Sequence, residues 1–508
     1  MSDTPGSDKV IHSFADRLAL DQAVRALADA PNNYELERRA QELAAKGEAV
    51  LNSLVRYLDT ADPTLRGGLG LLAKHLGPDH AIPALVRAAA DPRRPPEARY
   101  TAVMILERYL DHTIDHNRLP PLPHPDQVAR RSAEQALALA EDSPLVLVEY
   151  ATQLLDEPPE VIEAVIAVLG SLESPQRARL LMTVACYAPA AIAEQTLPHL
   201  NAIRHPAALT ACRTLRRLAA PPLRPAFDRL AQKLQLAGVR TEPLGPLRAL
   251  WSPISAQGQS ILWLMRSHSA AATGSLLALG LHDSLGITQH QAVADVPLSG
   301  MPMPAPVGLV HRLRIPNSHQ IVRLAEIDPA LGLALANQAV DAHAQATLPW
   351  PPEIVVYGEW LWNEDIRRNP DWPPLPPPAA SGDFEALLKH VAFASWAWDI
   401  PDLPFLLAGQ RQGPEIRQGG PAHREVARRL VTGDAARLLA LRLETQTRWL
   451  VLSHDLAAGL AVAARQAIID GDADHPFVLA LALRSLLTAA ADRAARQALR
   501  LAPPDHQP

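Results

Sequence analysis

His112 and His116 stand four residues apart, flanked by Asp111 and Asp115. On a continuing helix this spacing puts both imidazoles on one face, as two ligands of a metal ion require, with Asp115 where a general base would sit. Arg118-Leu-Pro-Pro121 follows at once and no third ligand is evident, so polar residues at a helix end are expected here and no metal site is assigned. His282-Asp283 has the types of an acid–base pair, but it leads into Ser284-Leu285-Gly286, where an Asp opening a turn has an ordinary structural reason. Trp350, Trp360, Trp362, Trp372, Trp396 and Trp398 crowd one stretch that also holds Glu364 and Asp365. Aromatic side chains anchor protein interfaces and equally fill the cores of small modules. Trp350, Trp360, Trp362 and Trp372 are therefore the candidate interaction surface, while Trp360, Trp362, Glu364 and Asp365 are the candidate pocket lining of a rival, enzymatic reading. Pro373 to Pro378 reads as a stiff spacer between modules, or else as a polyproline ligand for an aromatic groove. No phosphate loop, G-x-G-x-x-G or G-x-S-x-G occurs, so no catalytic residue and no cofactor is assigned.

Composition limits what these residues can serve. A chain of 508 residues exceeds one compact core, and a net charge of -6 with 20% charged residues argues against a surface that tracks phosphates, so no nucleic acid partner is expected. Ala, Leu and Arg dominate and aromatic residues make up 4%, a balance that favours helix over sheet. Cys186 and Cys212 are too few for a disulfide framework and fit a reducing cytoplasm. The opening residues, with acids and a proline before any apolar run, do not read as an export signal. Uncharged runs such as 180–193 are shorter than a membrane span, and Pro189 interrupts that one, so no membrane partner is expected.

The elements that must position any site are helices at first. Leu51, Leu54, Val55 and Leu58 recur at helical spacing until Asp62-Pro63, where Asp caps the next helix and Pro fits its first turn. Leu65, Leu69, Leu72 and Leu76 line the following helix, Gly77-Pro78 breaks it, and Asp91-Pro92 repeats the punctuation. Such recurrence marks a helical repeat that buries its faces only by stacking. Further helices are expected at 126–140, 145–155, 160–169, 175–187, 190–203, 207–218 and 223–236.

The segment Leu76-Gly-Pro-Asp-His-Ala-Ile-Pro-Ala-Leu-Val-Arg-Ala-Ala-Ala-Asp-Pro92 resembles the second helix and turn of HEAT repeats of the PBS-lyase-like subtype. The specific likeness covers about residues 48 to 110. It implies an armadillo-like α-solenoid of antiparallel helix pairs over 1–240, with Arg66 after Asp62 and Arg99 after Asp91 resembling the Asp and Arg positions of the inter-repeat ladder. Relatives of this architecture include bilin lyases. Others bind iron through His-Glu dipeptides, absent here, or DNA through a basic face, against which the acidic balance counts.

Past Pro246 the pattern changes. Ile261 to Met265, Leu276 to Leu281 and Ile287 to Val296 read as a small antiparallel meander with a turn at Asp283 to Gly286, although their Ala and Leu content also admits helix. Asp328-Pro329 opens a helix to about Gln345. The expected fold is thus mainly α, with a solenoid over 1–240, a small α/β module over 241–380 and a helical region over 381–508, interrupted by a loop near Gly409 to Gly420. The expected function is a non-catalytic cytoplasmic scaffold that holds a protein partner on the solenoid. The alternative is an enzyme or small-molecule-binding protein with its site in 241–400.

Overall fold

A computed structural model describes residues 19–60, 62–115, 119, 125–241, 244–267, 273–314, 321–362, 372–399 and 418–501. By its packing the chain divides into two compact units, 1–132 and 133–508. It is mainly helical, with one six-stranded antiparallel sheet.

In the first unit the principal helices are α1 (Asn33–Ala44), α2 (Leu51–Arg56), α3 (Pro63–Leu76), α4 (Pro78–Ala90) and α5 (Pro96–Tyr109). Proline stands at the first turn of the last three, where its missing N–H costs nothing and its fixed φ suits the helix. Asp62 caps α3 as its sequence suggests, its Oδ1 accepting the Leu65 N–H at 2.9 Å. Alternate helices pack side by side, α3 on α1 and α5 on α3, with α4 on α2. Leu54, Leu69, Leu72, Leu85 and Leu106 lie in the core so formed. Arg66 donates to the Thr60 carbonyl at 3.2 Å and makes no hydrogen bond to an Asp among the described residues. The helix ends earlier than the sequence suggests: α5 stops at Tyr109, Asp111 turns left-handed at φ 50°, and residues 112–115 are not helical. His112 therefore shares no helical face with another ligand; His116 lies outside the described residues.

The next helices are α6 (Pro125–Leu139), whose last turns belong to the second unit, and then α7 (Val146–Leu155), α8 (Pro159–Ser171), α9 (Arg177–Tyr187), α10 (Ala190–Ala202), α11 (Pro206–Leu218) and α12 (Arg224–Leu236). Each matches an expected helix to within two or three residues, because Pro and Ser punctuation marks the ends and Leu and Ala mark the faces. Again alternate helices are neighbours: α9 packs on α7 and α11, and α10 on α8 and α12.

The sheet follows, in the order β4-β3-β2-β1-β6-β5. Its strands are β1 (Leu247–Trp251), β2 (Gln259–Ser267), β3 (Thr273–His282), β4 (Gly286–Pro297), β5 (Val310–Arg314) and β6 (Ile321–Ile327). The expected meander is β2-β3-β4, and its strand reading prevails because Leu277, Leu279 and Leu281 alternate inward along β3. The turn is one residue shorter than expected, since His282 already pairs with Gly286, which takes φ +77°. A Cβ at Gly286 would meet the Ala339 carbonyl at 2.3 Å, so glycine serves both the turn and the close helix behind it. That helix, α13 (Pro329–Gln345), spans β1 to β4 and has the predicted limits and Asp328 cap.

Two short helices come next, α14 (Pro352–Val356) and α15 (Glu359–Trp362), then α16 (Phe384–Lys389), α17 (Pro421–Leu430), α18 (Gly433–Leu452), α19 (Ala458–Asp470) and α20 (Pro476–Leu501). The expected loop near Gly409 to Gly420 lies almost wholly outside the described residues. One continuous apolar core runs from Ala133 through Trp251, Leu279 and Trp362 to Leu486. The changes near residues 240 and 380 are thus changes of secondary structure within one packed body. Among the described residues no helix is long and apolar enough to cross a membrane.

Candidate functional site

α14 packs against α7 and α9, while α15 packs against α11 and α13. This crossing is close because residue 358, between the two short helices, is glycine. A Cβ there would stand 2.6 Å from the Trp362 ring and 3.0 Å from Cγ2 of Thr214 on α11. Where α9, α11 and the short helices face one another, a pocket of about 350 Å³ opens.

Three titratable side chains line it. Arg179 comes from the first turn of α9, His205 is the N-cap of α11, and Glu359 begins α15. His205 Nδ1 accepts the Ala207 N–H at 3.2 Å, which leaves Nε2 as the protonated nitrogen of the neutral ring. Burial pushes the Glu359 carboxyl above its ordinary value of 4.5, against the opposing pull of the Arg179 and Arg266 guanidinium charges. Arg266, on β2, is already engaged: it donates to the carbonyls of Gly245 at 2.8 Å and Trp360 at 3.3 Å. Arg179 and Glu359 are not. Neither side chain has an ion pair or hydrogen bond among the described residues.

Uncharged groups complete the wall. Thr214 is 1% exposed, and its hydroxyl has no hydrogen-bond partner among the described residues. A helical threonine usually satisfies its hydroxyl on the preceding turn, as Thr183 does on the Arg179 carbonyl at 2.8 Å. Met182, Ala211, Leu244, Val355 and Val356 supply an apolar side. A pocket that is partly apolar, with a few convergent polar groups lacking protein partners, is the arrangement that binds a small polar molecule.

No family model, no curated protein and no solved structure matches this chain. The functional reading therefore rests on the pocket's own chemistry.

The tryptophans take a different place from the one their clustering suggests. Trp360 is 7% and Trp362 2% exposed, so neither belongs to an interaction surface. The Trp362 indole donates to Asn337 Oδ1 on α13 at 2.8 Å. Trp350 stacks on His343 with centroids 5.1 Å apart and donates to the Leu218 carbonyl at 2.9 Å. Trp372 is half-buried between the Trp251 ring, at 5.8 Å, and the Arg448 guanidinium, at 4.8 Å. These rings brace the helices against the sheet, because an indole buries a large apolar area and needs only one hydrogen bond. The prolines after Trp372 lie against α19, where Ala379 N–H reaches the Gly459 carbonyl at 3.0 Å, so this segment straps one body instead of spacing two. Glu364 and Asp365 lie outside the described residues.

His282 Nδ1 and Asp283 Oδ1 stand 3.3 Å apart, yet each has its own hydrogen-bond partners. His282 Nδ1 accepts the turn amides of Ser284 and Leu285 at 3.2 Å, while the Asp283 carboxylate pairs with Arg442 of α18 at 2.6 and 3.1 Å. Histidine, and not the expected aspartate, holds the turn amides.

Arg179, His205 and Glu359 escaped the sequence reading because nothing local marks them. Arg179 sits inside an expected helix, His205 reads only as a residue before a proline, and Glu359 adjoins the singled-out Trp360 without a motif of its own.

Proposed function

We propose that this protein binds a small polar molecule in the pocket between α9, α11 and α15, with a HEAT-like stack of helices serving as its rigid wall. The observation that carries the reading is the buried Thr214 hydroxyl, unsatisfied among the described residues, beside the half-buried Arg179 and Glu359, which have no ion pair or hydrogen bond there, on one cavity wall. Unsatisfied polar groups are rare in native interiors and each calls for an explanation, which a bound ligand supplies. A volume of about 350 Å³ suits a small metabolite, since ligand pockets span roughly 300–1,000 Å³. Incubating the protein with a small-molecule extract of its host should raise its melting temperature. Ala207→Trp, placed at the half-buried edge of the pocket, should abolish that rise without lowering the melting temperature of the free protein. An extract that gives no shift, or one that Ala207→Trp leaves intact, would remove the reading.

A second reading is the interaction scaffold. It is supported by the alternate packing of α7, α9 and α11 beside α8, α10 and α12, the neighbour pattern of stacked helix pairs, which present long surfaces to a protein partner. Capture of a stoichiometric partner that is lost on substituting exposed residues of α8 and α10 would support it. The cytoplasm is the compartment proposed for either role, because the two cysteines, 186 and 212, are free thiols.

A further inference from the structure

The pocket holds two opposite charges that make no direct ion pair, and that arrangement specifies what would bridge them. Arg179 on α9 and Glu359 on α15 line the same cavity yet form no ion pair within 4.0 Å, and neither is engaged elsewhere among the described residues. A simple anion would satisfy the guanidinium while bringing a second negative charge toward Glu359. A simple cation would satisfy Glu359 while facing Arg179. Resting on the reading of this pocket as a ligand site, we propose that its ligand is a small zwitterion, a free amino acid or a compound carrying the same ammonium and carboxylate, with the carboxylate on Arg179 and the ammonium at Glu359.

The remaining walls fit the same class. Arg presents a planar fork matched to a carboxylate, and its charge persists at every working pH. Glu359 takes an ammonium best when ionised, and the ligand's positive charge favours that state in a place where burial resists it. His205 Nε2 and the Thr214 hydroxyl are further groups for a carboxylate or a polar side chain. Met182, Val355 and Val356 leave an apolar side for a short aliphatic group.

The charges around Glu359 give the pH dependence its sign. Arg179 from α9 and Arg266 from β2 act on it directly, and Tyr357 stands two residues before it. On α11, His205 caps the helix, Arg213 reaches Thr241 and Arg217 reaches Asp341 of α13; His343 of α13 bonds the Pro349 carbonyl. Zwitterion affinity should therefore fall as the pH drops through the raised range of the Glu359 carboxyl, and Glu359→Gln should flatten that dependence.

Calorimetric titration of the full chain with the standard amino acids, with propionate and ethylamine as probes that each lack one charge, tests the assignment. At least one amino acid should bind at least tenfold more tightly than either single-charge probe, and Glu359→Gln and Arg179→Gln should each weaken it at least tenfold. Arg179→Lys, which keeps the charge and loses the fork, should recover part of that loss. The assignment is overturned if no amino acid binds, if a single-charge probe binds as well, or if both Gln variants bind the amino acid unchanged. An extract-induced stabilisation that Ala207→Trp abolishes would, in those cases, leave the pocket as a ligand site and reject only the zwitterion.

Discussion

Glu359 carries the clearest residue-scale prediction, because its environment opposes its charge. The carboxyl is neutral in both folded and unfolded chains only well below its ordinary value of 4.5, and burial raises its folded value above that. Stability attached to it is therefore full at low pH and lost as the pH rises through the folded value. Glu359→Gln cannot ionise, so the variant's stability advantage over the parent protein should be larger at pH 8 than well below pH 4.5, where it should vanish, measured by urea unfolding without ligand across that range. The sequence made Glu359 visible only as a neighbour of Trp360. Its effect depends on Arg179, which lies 180 positions earlier in the chain and meets it only through the fold.

Among the elements, the β3–β4 hairpin shows how a local signal and a distant partner combine. Gly286 and the alternating leucines of β3 specify the hairpin from within, while the position of its tip depends on Arg442 of α18. The Arg442 side chain is 7% and the Asp283 side chain 13% exposed; Arg442 also donates to the Ala256 carbonyl and lies 5.3 Å from the Trp398 ring centroid. Removing one partner strands a buried charge, so Arg442→Met should cost about 3–5 kcal/mol in urea unfolding. The double change Arg442→Met with Asp283→Asn should cost less than Arg442→Met alone, because no carboxylate is then left without its cation. Strands β1, β5 and β6 had no comparable local signal. Leu247-Arg-Ala-Leu-Trp251 and Val310-His-Arg-Leu-Arg314 are short and mixed, and β1 becomes central only by pairing with β2 on one side and β6 on the other.

At the scale of the molecule, the second unit is one packed body whose helices and sheet share a core. Trp449 donates to the Trp251 carbonyl at 2.8 Å, and Gln446, fully buried, accepts from Ile254 N–H and donates to the Ala392 carbonyl, both at 3.0 Å. A fragment of residues 133–508 should accordingly unfold in a single thermal transition with native near-ultraviolet dichroism. A fragment of residues 241–508 should lack that signal, since it loses the α9 and α11 surface against which α14 and α15 pack. A cooperative transition in the shorter fragment would mean that the sheet and the C-terminal helices form a separate domain.

Whereas the runs of the meander admitted helix as well as strand, helix limits from 125 to 236 and α13 followed from the sequence alone, because each depends on caps, prolines and apolar spacing within a few residues. The fate of the tryptophans and the composition of the pocket did not. Whether an indole faces solvent or core, and whether Arg179 meets Glu359, depends on which helix faces come together over long sequence separations, and no local propensity encodes that choice. Tertiary packing decided both: it buried Trp360 and Trp362 and brought Arg179, Glu359 and Thr214 to the wall of one cavity, without hydrogen-bond or ion-pair partners among the described residues.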